Sequence, residues 1–130
     1  MTSRKQKTIG VAFIFAWFML GGLGHFVATG FFVSIVPPYI PYPYLAVIVS
    51  GIFEILGALG LLVPATRKAA AYGLFLLTLA VTPANIHMWL HPESFANIPE
   101  FLLSVRLVIQ AGLLWLIWWS VQPTTAKADR

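Results

Sequence analysis

Glu54 stands in the stretch SGIFEILGALGLLVP, residues 50–64, where every neighbour is apolar or small. A carboxylate in such a place can accept a proton, orient a base or neutralise a cation, and each of these roles needs a partner. The chain offers Arg106 and Gln110, four residues apart and so on one helical face. It also offers Asn85, His87 and His25. His25 changes charge near neutral pH, which makes it a natural acid–base companion for a buried carboxyl group. Arg106, Asn85 and Gln110 carry N–H donors of the kind that hold a carbonyl oxygen. The expected arrangement sets Glu54 against Arg106 as a buried ion pair. His25, His87, Asn85 and Gln110 share one polar pocket with that pair, and Phe26, Phe53 and Trp89 form its apolar wall. The same residues have plainer uses: an ion pair can lock two helices, and amides commonly tie membrane helices together.

Other chemistries lack their residues. His25, Glu54 and His87 are metal-ligand types, but they come from three separate segments without HExxH or ExxH spacing, so no metal is expected. There is no phosphate-cradling Gly-rich loop and no GxSxG. With no Cys there is neither a disulfide framework nor thiol chemistry of the protein's own.

The elements that must position these residues follow from composition. Of 130 residues, 59% are hydrophobic and 9% charged, against about 25% charged in ordinary soluble domains. Apolar runs of about 18 residues or more are long enough to cross a bilayer. Four are present, at residues 9–32, 44–63, 69–89 and 101–119. The expectation is an all-α integral membrane four-helix bundle, one domain over residues 9–121, with short tails at 1–8 and 122–130. Residues 1–7 and 122–130 are the stretches expected to be disordered. The first run is longer than the apolar core of a signal peptide, about 7 to 15 residues, and reads as an uncleaved span.

Charge sets the orientation. Arg4, Lys5 and Lys7 precede the first run, Arg67 and Lys68 lie between the second and third, and Lys127 and Arg130 follow the fourth. Four crossings put all of them on one side, the cytoplasm by the positive-inside rule, so both termini are expected there. The net charge of +4 is thereby explained by orientation, and no nucleic-acid footprint is gathered anywhere. A multi-pass membrane protein is implied. Tyr39, Tyr42, Tyr44 and Trp89 form an outer aromatic belt; Trp115, Trp118 and Trp119 form an inner one.

Helical rise then gives depth. Arg106, Asn85 and His25 fall roughly 6 to 10 Å below the outer boundary, and Gln110 and Glu54 about 13 to 15 Å. The polar residues thus form one layer in the outer half, and Pro83 is expected to bend its helix just before Asn85. In the short link VPATRK, Pro64 is expected to end one helix and Thr66 to cap the next.

The motifs GHF at 24–26, the Pro-rich loop ending PYIPYPY, SGIFEILGALGLLVPATRKAAAYGL at 50–74, PANIHM at 83–88 and RLVIQ at 106–110 resemble the DoxX and DoxX-like family of small bacterial membrane proteins. The resemblance extends from about Gly21 to Trp119. It implies a four-helix membrane bundle, the positions His25, Glu54, Asn85, Arg106 and Gln110 as its characteristic polar set, and an accessory role beside membrane redox or oxidative-stress complexes. Expected partners are the bilayer, a small amphipathic ligand such as a quinone or lipid, membrane redox proteins, and a second copy of the chain in a homo-oligomer. The alternatives that remain open are an acid/base enzyme on a lipid-soluble substrate, a small transporter, and a purely structural subunit.

Overall fold

The computed structural model describes residues 4–95 and 97–123 of the chain. Five α-helices account for most of these residues: α1 (Arg4–Val27), α2 (Thr29–Ser34), α3 (Pro43–Leu62), α4 (Pro64–Leu90) and α5 (Glu100–Ser120), with a 3-10 turn at Pro92–Phe95. The four long helices are each long and apolar enough to cross a membrane, the makeup of a multi-pass membrane protein. Large apolar side chains cover their outward faces, among them Ile9, Leu20, Leu56, Leu76, Phe101 and Val108. A soluble domain rarely exposes apolar surface on this scale.

Each long helix packs on two others, in the ring order α1, α3, α4, α5 and back to α1. Consecutive helices run antiparallel, so the bundle has two ends. The loop end carries residues 28–42, 91–95 and 97–99. The terminal end carries Arg4, the α3–α4 junction and Ser120. Ile14, Phe18, Ala58, Leu61, Ala71, Leu74 and Ile117 form the main core in the terminal half. A smaller cluster of Ile35, Met88 and Leu103, with Phe32, Phe95 and Ile98 against it, closes the loop end.

The helix limits differ from the apolar runs in instructive ways. Helix α1 starts at Arg4, so residues 4–7 are ordered helix rather than tail. Lys7 explains why: its ammonium donates to the Trp119 carbonyl at the end of α5 and lies 4.2 Å from the centre of the Trp119 ring. Lys127 and Arg130, with the rest of residues 124–130, lie outside the described residues. The first apolar run is also not one helix, because Ala28 leaves helical geometry (φ −118°, ψ 43°) and α2 is a separate short segment.

The α3–α4 junction is a single extended residue, Val63. Pro64, expected to end α3, instead opens α4, where its missing N–H costs nothing. Thr66 does not cap α4; its hydroxyl donates back to the Gly60 carbonyl at 2.8 Å. Arg67 Nε donates likewise to the Leu61 carbonyl at 2.7 Å. Two side chains from the first turn of α4 thus satisfy two of the open carbonyls of α3, those of Gly60 and Leu61. Helix α4 runs unbroken through Pro83.

Candidate functional site

Helices α1 and α3 approach closely at Gly22 and Gly51. A Cβ built on Gly22 would stand 2.8 Å from Ile55 Cγ1 and 3.0 Å from the Gly51 carbonyl; one on Gly51 would stand 2.8 Å from His25 Cβ. Only glycine on both sides lets the backbones meet, the close-approach pattern of membrane helices. His25 and Glu54 sit three residues beyond these glycines on the facing helices. His25 Nε2 and Glu54 Oε2 are 2.9 Å apart, with both side chains nearly buried. On its other side, His25 Nδ1 is 2.9 Å from the Val47 carbonyl and 3.1 Å from Ser50 Oγ. Phe32 of α2 lies against the ring, centroid to centroid 4.2 Å.

These contacts fix the proton positions. A carbonyl only accepts, so Nδ1 must carry a hydrogen and donate it to Val47. Ser50 Oγ donates to the same carbonyl at 3.0 Å, leaving its lone pair for Nδ1–H. The bond between Nε2 and Glu54 then contains one proton, written either as imidazolium with carboxylate or as imidazole with carboxylic acid. In both forms the pair is neutral overall. That neutrality is what makes Glu54 tolerable among apolar neighbours, where a lone ion is heavily penalised.

The expected ion pair of Glu54 with Arg106 is therefore corrected: Glu54 pairs with His25. The reason is the ring order, which places α3 and α5 across the bundle from one another. Adjacent helices lie about 8–10 Å apart, so diagonal ones are about 11–14 Å apart. The nearer imidazole takes the carboxylate.

Arg106 belongs to a second cluster, between α4 and α5. Its Nη2 donates to Asn85 Oδ1 at 3.0 Å. Asn85 Nδ2 donates to Gln110 Oε1 in a short hydrogen bond. Gln110 Nε2 donates to Thr82 Oγ1 at 2.5 Å, and Thr82 donates to the Thr78 carbonyl at 2.8 Å. All four bonds point the same way, from the guanidinium to a backbone acceptor. Arg106 Nε is enclosed and has no hydrogen-bond partner, and among the described residues no carboxylate pairs with the guanidinium.

The single polar layer expected from depth is thus two clusters. Of the other candidates, His87 joins neither; its ring lies against His91, 4.4 Å between centroids. Phe26, Phe53 and Trp89 are exposed on the outside of the bundle rather than lining an interior wall. Trp89 Nε1 donates to Ser104 Oγ at 3.1 Å, and Phe53 borders a cleft between α3 and α4. Two cavities lie away from the clusters: that cleft, and a smaller one at the terminal end. Thr82 and Phe32 are not among the residues that the sequence singles out. Thr82 stands three residues before Asn85 and so on the same helical face, a spacing that could have found it. Nothing local marks Phe32.

The fold and its clusters define a class, a small apolar four-helix bundle with paired polar groups held between its helices. The chain belongs to the family described as Domain of unknown function (DUF8561), which it matches over residues 14–122. Comparison with curated proteins and with solved structures gives no match.

Proposed function

We propose that this chain is a multi-pass protein of a bacterial inner membrane, its terminal end cytoplasmic, and that the Arg106 cluster binds the oxygen of a small amphipathic molecule of the quinone class. The protein would then serve as an accessory to a membrane redox or oxidative-stress system, the role that its DoxX-like motifs imply. The observation that carries the reading is Arg106: a partly buried guanidinium with an enclosed, unbonded Nε and no carboxylate partner among the described residues. A cation placed in a membrane-spanning helix is costly and ordinarily finds a partner. His25 and Glu54 neutralise each other, so Arg106 is the group left to recognise an acceptor, and Asn85 and Gln110 hold it in place.

The test is equilibrium binding of short-chain ubiquinone and menaquinone to the purified protein in nanodiscs. Saturable binding is expected, weakened roughly 10- to 100-fold by Arg106→Gln, the range that loss of one charged hydrogen bond gives. Glu54→Gln should leave affinity nearly unchanged. Wild-type protein that binds neither quinone would refute the proposal.

A second reading is favoured by the unbroken donor chain from Arg106 to the Thr78 carbonyl, which would tie α5 to α4 without any ligand. On that reading Arg106→Leu lowers unfolding stability and changes nothing else in the cell.

A further inference from the structure

The terminal end of the bundle carries polar groups that neither cluster uses. A cavity of ≈190 Å³ opens there, lined by Arg4, Lys7, Thr8, Val11, Arg67 and Ser120. That is well above the about 10–15 Å³ one water needs. Three cations line it, two from α1 and one from α4. From α5 comes Ser120, a residue 6% exposed whose hydroxyl oxygen is enclosed and has no hydrogen-bond partner.

The bonds these cations make leave their charge unanswered. Lys7 donates to a backbone carbonyl and lies over Trp119. Arg67 uses Nε on the Leu61 carbonyl, which leaves its terminal amino groups. No ion pair among the described residues includes Arg4, Lys7 or Arg67. The carboxylates among those residues are Glu54, already paired with His25, and Glu93 and Glu100, which stand at the loop end. Three like charges around one space repel each other, and an anion inside it adds an attraction to each of them. Trp115 and Trp118 are exposed on the last turns of α5, at the depth where interfacial Trp and lipid phosphates meet.

We propose that this cavity binds a phosphate group, with Arg67, Arg4 and Lys7 supplying charge and the Ser120 hydroxyl a neutral donor. The group can arrive on an anionic phospholipid or as free phosphate, and both present the same oxygens to the same donors. The site is independent of the quinone reading and survives its failure.

The experiment follows the melting temperature and Trp emission of the full chain in detergent. The probes are dioctanoyl phosphatidylglycerol, inorganic phosphate, and dioctanoylglycerol, which has the same tails without phosphate. A saturable response to the phospholipid, absent with dioctanoylglycerol, is expected. Ser120→Ala and Arg4→Gln should each weaken it about three- to tenfold, and Arg67→Gln about tenfold or more. Lys68→Gln, which changes the same net charge one residue from Arg67 but outside the cavity, should leave it intact. Saturation by inorganic phosphate with the same dependence on the variants assigns the site to free phosphate. Because Arg67→Gln also removes a bond that closes α3, Ser120→Ala and Arg4→Gln decide the outcome. The proposal is overturned if neither phosphate source saturates, if both of those variants bind as the wild type does, or if Lys68→Gln costs as much as Arg67→Gln.

Discussion

The proton shared by His25 and Glu54 makes the two residues unequal under mutation. In Glu54→Gln the new amide can still donate to Nε2 of a neutral imidazole, so the loss should be only about 1 kcal/mol, that of an ordinary hydrogen bond. His25→Ala strands a buried carboxyl group without its partner, at a cost of about 3–5 kcal/mol. Replacing both together, as His25→Leu with Glu54→Leu, should give a protein no less stable than the wild type, since an apolar pair of similar volume is often neutral or better. Unfolding of the purified chain in mixed micelles checks all three. Equal losses from Glu54→Gln and His25→Ala would contradict the shared-proton pair. At this scale the sequence shows that Glu54 needs company and which residue types are at hand. It does not choose between His25 and Arg106, because both stand at suitable depth and only the neighbour relation of the helices separates them.

Helix packing depends on where glycine is replaceable. Gly22 and Gly51 face backbone and side chains within 3.3 Å of a hypothetical Cβ, whereas Gly112 on α5 has nothing within 4 Å. Gly51→Ala should therefore push α1 from α3, destabilise by about 1–3 kcal/mol and lengthen the bond between His25 and Glu54. Gly112→Ala should be neutral or stabilising by up to about 1 kcal/mol. Thermal unfolding of the two variants measures the difference, and a loss at Gly112 equal to that at Gly51 would show that the contact is not what fixes the pair. The four long helices were legible from apolar runs alone, but their ends were not. Lys7 and Pro64 read locally as tail and terminator. They act as helix residues because α5 supplies a carbonyl for one and the first turn of a helix tolerates the other.

The ring order of helices is a property of the whole molecule and leaves no mark in a hydropathy pattern. It is also what divides the polar residues into a neutral pair on one side of the bundle and a cationic chain on the other. The segregation of charge, in contrast, is legible in the sequence: Arg4, Lys5, Lys7, Arg67 and Lys68 all stand at one end, and the Pro-rich loop with Tyr39 and Tyr42 stands at the other. If the basic end faces the cytoplasm, the loop end is accessible from outside the cell membrane. The chain has no Cys, so single replacements report position without background. Tyr39 is 72% exposed, and Lys68 is exposed at the opposite end. In right-side-out spheroplasts, Tyr39→Cys should react fully with a membrane-impermeant maleimide, and Lys68→Cys should react only after permeabilisation. Inverted vesicles should give the reverse. The opposite pattern would place the basic cavity outside and reverse the orientation. Equal labelling of both sites in sealed spheroplasts would mean that the four helices do not separate two compartments at all.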